Sequence, residues 1–207
     1  MTNLWFVRHA LTPQTGKRLT GWTEGVRLSE SGDGQALAIA EALKDVPFGA
    51  VYSSPLDRTI QTARAIARAQ GLQVRQSRDL GEVDYGRWTN RPLKVLARTK
   101  LWGQVQRWPS GARFPDGETL RETQSRAIAE VEGIAAEHPG KSICLVSHAD
   151  VIKLIAAHYL GAHIDLFQRI VIGPASISVV AIGERGPSVL CLNVQPELLH
   201  WFAKGKG

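Results

Sequence analysis

The sequence predicts an α/β fold, a three-layer sandwich in which helices flank a mostly parallel central sheet. Short apolar runs suited to buried strands alternate along the chain with amphipathic helical segments, which is the pattern of βαβ units. The last part of the chain instead predicts two strands joined by a tight turn. A length of 207 residues is most simply one domain, residues 1–207, because no repeat or linker divides it.

The first half of the chain predicts two strands and two helices. Residues 4–7 form a short apolar run typical of a buried strand, and residues 11–32, rich in Thr, Gly and Ser, indicate a loop. Apolar residues share one helical face over 33–43, and residues 49–52 predict a second strand. The segment Ser53-Ser54-Pro55 then indicates a helix start with a serine cap.

The second half predicts an insertion, two further helices, a buried strand and a closing hairpin. The insertion, a possible lid, spans about 87–115 and includes a helix across roughly 91–107. The remaining elements follow in order: a helix outlined by Leu120, Ile128, Val131 and Ala135, a strand at 143–146, a helix at 151–160, and a hairpin of 177–182 with 188–194.

The charge balance predicts an anionic partner. Lys and Arg number 25 against 19 Asp and Glu, a net charge of +6, which by itself leaves nucleic acid, a membrane surface and phosphate open. The apolar runs fall far short of the about 20 residues that a membrane-spanning helix needs, and Arg8-His9 interrupts the N-terminal run before a signal peptide could form. Cys144 and Cys191 lie in β-like apolar runs, so we expect buried, reduced thiols in a cytoplasmic protein.

Histidines and arginines lie where predicted strands give way to loops or helices. Arg8-His9 and His148 follow two of the strands, and Arg58 lies in the first turn of the helix after a third. Ligands of open α/β sheets bind at the carboxyl ends of the strands, so these side chains are expected to converge. Each alone would more often be structural. Together, two planar guanidinium groups and a helix N-terminus match a phosphoryl group.

Other site chemistries lack their sequence signatures. Gly16-Lys17 resembles the end of a P-loop, but Leu11 occupies the position of the required upstream glycine. The sequence contains no HExxH, Cys-x-x-Cys or acidic calcium loop, and no GxSxG nucleophile elbow. We therefore expect neither a metal nor a cofactor.

The chain resembles a known family through a series of segments in the family's order. These segments are FVRHALT, LTGWTEGVRLSESGDGQA, VYSSPLDRTIQTA, LGEVDYGRW, FPDGETL and LVSHADVIK. They are similar to the motifs of the histidine phosphatase superfamily, in the branch that includes cofactor-dependent phosphoglycerate mutases and their phosphatase relatives. The resemblance covers most of the chain and implies the phosphoglycerate mutase-like fold.

The resemblance also implies a metal-independent phosphohistidine mechanism. His9 would attack phosphorus, and Arg8, Arg58 and His148 would surround the transferred oxygens, with His148 protonated and donating. Glu82 would be the general acid and then the base that activates water.

Several positions leave alternatives open. Without the resemblance Glu82 would be a solvated loop carboxylate, and Asp84 and Asp150 are neighbouring alternatives, the latter better explained as a helix-start residue. Ala10 and Ala149 replace glycines that commonly follow the two histidines, which could alter backbone angles or narrow the pocket.

Four further residues are predicted to contact substrate. They are Thr15, Thr20, Gly21 and Tyr85. Thr15 stands where many members have Asn, so its hydroxyl would have to supply that contact with the phosphate.

The sequence favours hydrolysis over phosphoryl transfer between metabolites. Family mutases carry a long insertion with paired arginines, whereas only 32 residues separate Glu82 from Pro115 here, without an Arg-Arg pair. We therefore expect a phosphomonoester hydrolase acting on a small phosphorylated metabolite. A phosphoglycerate mutase-type phosphotransferase is the alternative, and a non-catalytic phospholigand or nucleic-acid binder is a more distant one.

The insertion is the expected specificity element, and few other partners are expected. Its tryptophans and cations could contact an anionic, partly apolar substrate, or could simply pack and be solvated. The cations concerned are Arg87, Arg91, Lys94, Arg98, Lys100 and Arg107. Basic residues are dispersed over the chain up to the tail Lys204-Gly205-Lys206, so we expect no nucleic acid and no membrane partner, but a possible homodimer.

Overall fold

The computed structural model describes residues 1–199, so the tail Lys204-Gly205-Lys206 lies outside the described residues. The strands within that range are β1 (Thr2–Arg8), β2 (Arg18–Leu19), β3 (Phe48–Ser53), β4 (Val74–Gln76), β5 (Arg91–Pro92), β6 (Ser142–Ser147), β7 (Ile177–Gly183) and β8 (Gly186–Val194). The α-helices are α1 (Glu30–Ala42), α2 (Asp57–Ala69), α3 (Leu93–Leu96), α4 (Lys100–Arg107), α5 (Leu120–Glu137) and α6 (Ala149–Tyr159). Short 3₁₀ helices lie at Gly86–Trp88, Pro109–Gly111, Ile164–Arg169 and Pro196–Leu198.

Six of the strands form one mixed sheet in the order β4-β3-β6-β1-β7-β8. The pairs β4-β3, β3-β6 and β6-β1 are parallel, whereas β1-β7 and β7-β8 are antiparallel. The predicted fold class, with its mostly parallel sheet and closing hairpin, is therefore confirmed. β1 and β6 are adjacent and in register, with Arg8 opposite Ser147, so both strands deliver their last residues to one edge.

Helices cover both faces of the sheet because strand side chains alternate between the faces. Leu4 and Phe6 of β1 pack on the side of α5 and α6, while Val7 packs on the side of α1 and α2. Each side is a continuous apolar cluster of buried residues. This arrangement is the predicted three-layer sandwich.

Some predicted boundaries are wrong for local reasons. The helix expected across 91–107 is divided into α3 and α4, because Thr99 starts a new helix and its side chain accepts from the Trp102 amide. The serine cap expected before α2 is absent, since Leu56 occupies the cap position and makes no side-chain cap bond. β4, a three-residue strand at the edge of the sheet, was not predicted.

The segment 87–115 packs into a third apolar cluster, which it shares with residues of α5, α6 and the 3₁₀ helix Ile164–Arg169. Trp88 lies against Trp102 and Phe114, with ring centroids 6.2 and 5.6 Å apart. The two-stranded pairing of β5 with β2 joins this segment to the loop that follows β1. Its aromatic residues therefore support the loop from outside, although Trp108 remains exposed.

The two cysteines differ in burial. Cys144 is fully buried in β6, as expected, but Cys191 is only half-buried because β8 is an edge strand. Both thiols are free.

Candidate active site

A cavity of about 350 Å³ opens at the edge of the sheet where β1 and β6 end. Arg8, His9, Arg58 and Glu82 line it, together with Ala149 at the start of α6. His148, the N-cap of α6, is fully buried just behind these residues. Its ring centroid is 5.4 Å from that of His9, so the side chains expected to converge do lie together.

The His9 ring is held in one orientation by its own backbone. Nδ1 lies 2.7 Å from the Ala10 carbonyl oxygen, which can only accept, so Nδ1 carries the hydrogen and Nε2 keeps its lone pair. Burial, together with the charges of Arg58 and Arg8, places the pKa of His9 well below its ordinary value. His9 is therefore a neutral imidazole with a free nitrogen, the form that a nucleophile requires.

Two guanidinium groups reach the cavity with donors to spare. Arg8 donates from Nη1 to the Ile172 carbonyl at 2.7 Å, and Arg58 donates from Nη2 to the Gly21 carbonyl at 2.8 Å. Arg8 Nε and Arg58 Nη1 are buried and have no partner among the described residues. Buried donors without partners are uncommon and costly, so these two groups are suited to an anionic ligand with several acceptor oxygens.

His148 is oriented from both sides. Its Nδ1 accepts from Arg58 Nη2 at 3.2 Å, and its Nε2 lies 2.8 Å from the Ser54 hydroxyl oxygen. Burial first, and then the charges of Arg58 and Arg8, lower the pKa of His148 well below its ordinary value. The protonated state expected from the sequence is therefore disfavoured by these neighbours, although a bound phosphoryl group would act in the opposite direction.

Glu82 lies in a loop beside the same histidine. Its Oε1 accepts from the Val83 amide at 3.0 Å, and its Oε2 is 3.8 Å from His148 Nδ1. Burial and the nearby charge of Asp150 raise the pKa of Glu82 to about 7, against the lowering effects of Arg58 and Arg8. A carboxyl group that titrates near neutrality can both donate and accept a proton at working pH.

The two alternative acids have different surroundings. Asp84 is exposed and accepts from the Gly86 amide, away from the cavity. Asp150 does lie in the first turn of α6, as expected, but it also lines the cavity. It accepts from the Tyr85 hydroxyl at 2.9 Å and pairs with Lys153 at 3.3 Å.

Of the four residues predicted to contact substrate, three line the cavity: Thr15, Thr20 and Tyr85. The Thr15 hydroxyl accepts from the Thr12 amide, so it also shapes the loop that follows β1. Gly21 does not line the cavity. Its carbonyl instead accepts from Arg58, and its φ of +54° explains why glycine suits this position.

The cations and tryptophans of the insertion do not contact the cavity. Within 87–115 only Leu93 lines it. Trp88 is buried in the apolar cluster described above, and Trp102 packs against that cluster. These two indoles therefore serve packing, which was the alternative to substrate contact. These cations are exposed and these indoles lie outside the cavity lining, so the structure favours the alternative of packing and solvation.

Ala10 and Ala149 do not strain the backbone. Neither residue has a positive φ, so an alanine methyl group is tolerated at both positions. The Ala10 amide donates to the Thr62 hydroxyl at 3.2 Å.

Several residues of the cavity wall were not predicted from the sequence. Thr12, Lys153 and Gln168 line the cavity, and Lys153 donates to Gln168 at 3.1 Å. Lys153 lies on the predicted helix that follows His148, in the segment LVSHADVIK. Gln168 lies in a 3₁₀ helix that no local pattern indicates.

Metal-binding clusters and membrane-spanning helices are both absent from the described residues. Within residues 1–199, no group of three or more His, Cys, Asp and Glu side chains is arranged to hold a metal ion. In the same range no helix combines the length and apolar character that a membrane crossing requires.

Comparison with known proteins agrees with this geometry. The sequence matches the Histidine phosphatase superfamily (branch 1) over residues 4–195. It is 29% identical to Phosphoserine phosphatase 1 of Hydrogenobacter thermophilus, over 99% of this chain and 98% of that protein. It is 30% identical to the Probable phosphoglycerate mutase GpmB of Yersinia pestis, over 87% of this chain and 85% of the relative.

A solved structure shows the same fold. Bacillus stearothermophilus YhfR superposes with a TM-score of 0.88 at 22% identity, covering 94% of this chain and 98% of that one.

Proposed function

Because the chain belongs to the histidine phosphatase superfamily, we propose that it hydrolyses phosphomonoesters with His9 as the nucleophile. The observation that carries the proposal is the His9 ring, whose Nδ1 hydrogen is held by the Ala10 carbonyl so that Nε2 keeps a free lone pair. Arg8 and Arg58, each with a buried donor that lacks a partner among the described residues, lie around the same cavity. A nucleophile beside two free cationic donors is what transfer of a phosphoryl group needs.

The first step forms a phosphohistidine. His9 Nε2 attacks phosphorus in line, the bond between phosphorus and the ester oxygen breaks, and Glu82 gives its proton to the leaving oxygen. Arg8 and Arg58, with the N-terminus of α6, stabilise the charge on the three transferred oxygens. His148 adds a donor only when its ring gains a proton, because Nδ1 accepts from Arg58 and Nε2 faces the Ser54 hydroxyl. Binding the dianion between two guanidinium groups offsets the cost of burying them.

The second step returns the enzyme to its starting state. A water molecule attacks the phosphohistidine, the Glu82 carboxylate takes a proton from the water, and the P–N bond breaks to release inorganic phosphate. One group must therefore serve first as acid and then as base. The pKa of Glu82, raised to about 7 chiefly by burial, fits both roles near neutral pH.

The wall of the cavity supports water as the acceptor. A mutase needs a second cationic clamp for the acidic group of its substrate. Here Lys153 is paired with Asp150, and Arg18 donates to the backbone and side-chain oxygens of Asn90. Neither cation offers buried donors comparable to those of Arg8 and Arg58, so hydrolysis fits this cavity better than phosphoryl transfer between metabolites.

The same wall indicates the substrate class. Asp150, Lys153 and Gln168 form a connected polar group, and aliphatic side chains face the cavity beside them. The aliphatic residues are Leu19, Leu93, Ile170, Val171 and Ile172. A cavity of about 350 Å³ with this mixed lining suits a small phosphorylated metabolite, and phosphoserine and phosphoglycerate are the first compounds to test.

Phosphate release from a panel of phosphorylated metabolites, with and without EDTA, tests the proposal. We expect hydrolysis that EDTA does not affect, an acid-labile phosphate on the protein, and loss of at least about 1000-fold in kcat for His9→Ala. His158→Ala is the matched control, because His158 is exposed and lies outside the cavity.

Two outcomes would overturn it. Unchanged hydrolysis by His9→Ala would exclude the nucleophile. Efficient interconversion of 2- and 3-phosphoglycerate with negligible phosphate release would favour the mutase alternative.

A further inference from the structure

The loop that carries Glu82, residues 79–84, is held almost entirely through its backbone carbonyl groups. Arg126 on α5 donates from Nη1 to the carbonyls of Asp79 at 2.7 Å and Gly81 at 3.0 Å, and from Nη2 to that of Glu82 at 2.9 Å. The intervening carbonyl of Leu80 accepts from the Ser147 hydroxyl at 2.7 Å. One guanidinium group therefore fixes three peptide units of a loop without regular secondary structure.

Glu118 fixes Arg126 in turn and holds the far end of the loop. Its two carboxylate oxygens accept from Arg126 Nε at 2.7 Å and Nη2 at 3.0 Å, a bidentate pair with both side chains largely buried. The Glu118 amide donates to the Asp84 carbonyl at 2.8 Å, and the Asp84 amide donates back to Glu118 Oε2 at 2.9 Å. The Arg126–Glu118 pair thus spans the loop on both sides of Glu82.

The peptide unit between Glu82 and Val83 links this support to the carboxyl group. Its carbonyl accepts from Arg126 and from Trp22 Nε1, the latter at 2.6 Å. In a planar trans peptide the amide hydrogen points away from the carbonyl, and this Val83 amide donates to Glu82 Oε1 at 3.0 Å. Rotation of the peptide unit would therefore break all three hydrogen bonds together.

We propose that Arg126, Glu118 and Trp22 are positioning residues that hold the 82–83 peptide unit and thereby direct the Glu82 carboxyl group toward the leaving oxygen. The inference rests on the proposed function, in which Glu82 protonates that oxygen. The Val83 amide stabilises the carboxylate and lowers the pKa of Glu82, against the larger effect of burial. Loss of the support should therefore misplace the acid and raise its pKa.

The test compares two substrates that differ in their need for an acid. p-Nitrophenyl phosphate has a leaving group that departs without protonation, whereas the alkoxide of β-glycerophosphate needs a proton. Trp22→Phe removes the indole donor together with the outer ring atoms that lie against Gly81, and Arg126→Gln removes the guanidinium group. Arg121→Gln is the matched control, because Arg121 lies on the same helix and donates to the Ser110 carbonyl, outside the loop.

We expect both variants to lose about tenfold in kcat/KM for β-glycerophosphate and less than about twofold for p-nitrophenyl phosphate. The alkaline limb of kcat/KM should move to higher pH in both. Arg126→Lys should recover part of the loss for β-glycerophosphate, because an ammonium group can still reach one or two of the carbonyls. Arg121→Gln, the control, should change neither the ratio of kcat/KM for the two substrates nor the pH profile.

An equal loss for the two substrates, with an unmoved pH profile, would overturn the inference and leave a purely structural role. If Arg126→Gln does not fold, Trp22→Phe decides by the same criteria. Failure of the proposed function is distinguishable, since it would appear as hydrolysis of both substrates by His9→Ala. Failure of this inference would leave the dependence on His9 intact.

Discussion

Arg58 Nη2 donates a hydrogen bond to His148 Nδ1 at 3.2 Å, and both side chains are excluded from solvent, with exposures of 1% and 0%. A guanidinium group can only donate, so Nδ1 must be the accepting nitrogen of a neutral ring. The hydrogen then lies on Nε2, which donates to the Ser54 hydroxyl at 2.8 Å. The two groups expected to bind the phosphoryl oxygens therefore orient each other before substrate arrives.

Replacing Arg58 with Met should show its two effects separately: donation to the transferred oxygens and the lowering of the His148 pKa. We expect kcat/KM to fall by at least about 100-fold, because a donor to the transferred oxygens is lost. The pKa of His148, which burial lowers first and the Arg58 charge lowers further, should rise. NMR titration of the histidine rings measures this change, with Arg64→Met on the exposed face of α2 as the control. An unchanged His148 titration would contradict the prediction.

Glu82→Gln should be more stable than the parent protein at high pH, and this difference should grow as pH rises. The pKa of Glu82 is raised from its ordinary value of 4.5 to about 7 in the folded protein, so between these pH values the folded state holds a proton that the unfolded state has lost. The contribution of this proton to the free energy of unfolding is fully present below pH 4.5 and is lost as pH rises through about 7. At about pH 8 the variant should be more stable by up to about 3 kcal/mol, and the difference should vanish toward about pH 4.

Urea unfolding at a series of pH values measures the Glu82 effect. The exposed carboxylate variant Glu24→Gln is the control. A stability difference between Glu82→Gln and the parent protein that does not depend on pH would rule out this titration.

Asp150→Asn should move the pH profile. After burial, the negative charge of Asp150 is the largest influence that raises the pKa of Glu82. Its removal should lower that pKa, so the alkaline limb of kcat/KM, where Glu82 loses its proton, should shift to lower pH. Asp84→Asn, outside the cavity, should leave the limb in place, and an unmoved limb in Asp150→Asn would argue against the coupling.

Ala10→Gly and Ala149→Gly should change activity little. Both alanines have ordinary φ values, so restoring glycine relieves no strain. We expect kcat/KM within about twofold of the parent and a loss of stability of about 1 kcal/mol for each variant, from the added freedom of the unfolded chain. Steady-state kinetics and thermal unfolding provide the measurements. A large gain in activity would show that the methyl groups narrow the phosphate site.

The main elements and the convergence of the basic residues followed from local pattern. β1 and β6 were recognisable as apolar runs, and each ends directly before its histidine, so the rule for parallel sheets placed His9 and His148 at one edge. Glu82 had no such signal, because it lies in a loop without periodicity. Only the resemblance of its segment to a family motif indicated it.

The sequence by itself determined which residue types arrive at the end of each strand. Tertiary structure decided their chemical state. Ser54 was expected to cap a helix next to it in the chain, yet it contacts His148, 94 positions away. The lowered pKa of His9 and the raised pKa of Glu82 likewise arise from burial and from charges brought by other segments. Local pattern records the chain's own periodicity, whereas protonation depends on every group within a few ångströms, whatever its place in the sequence.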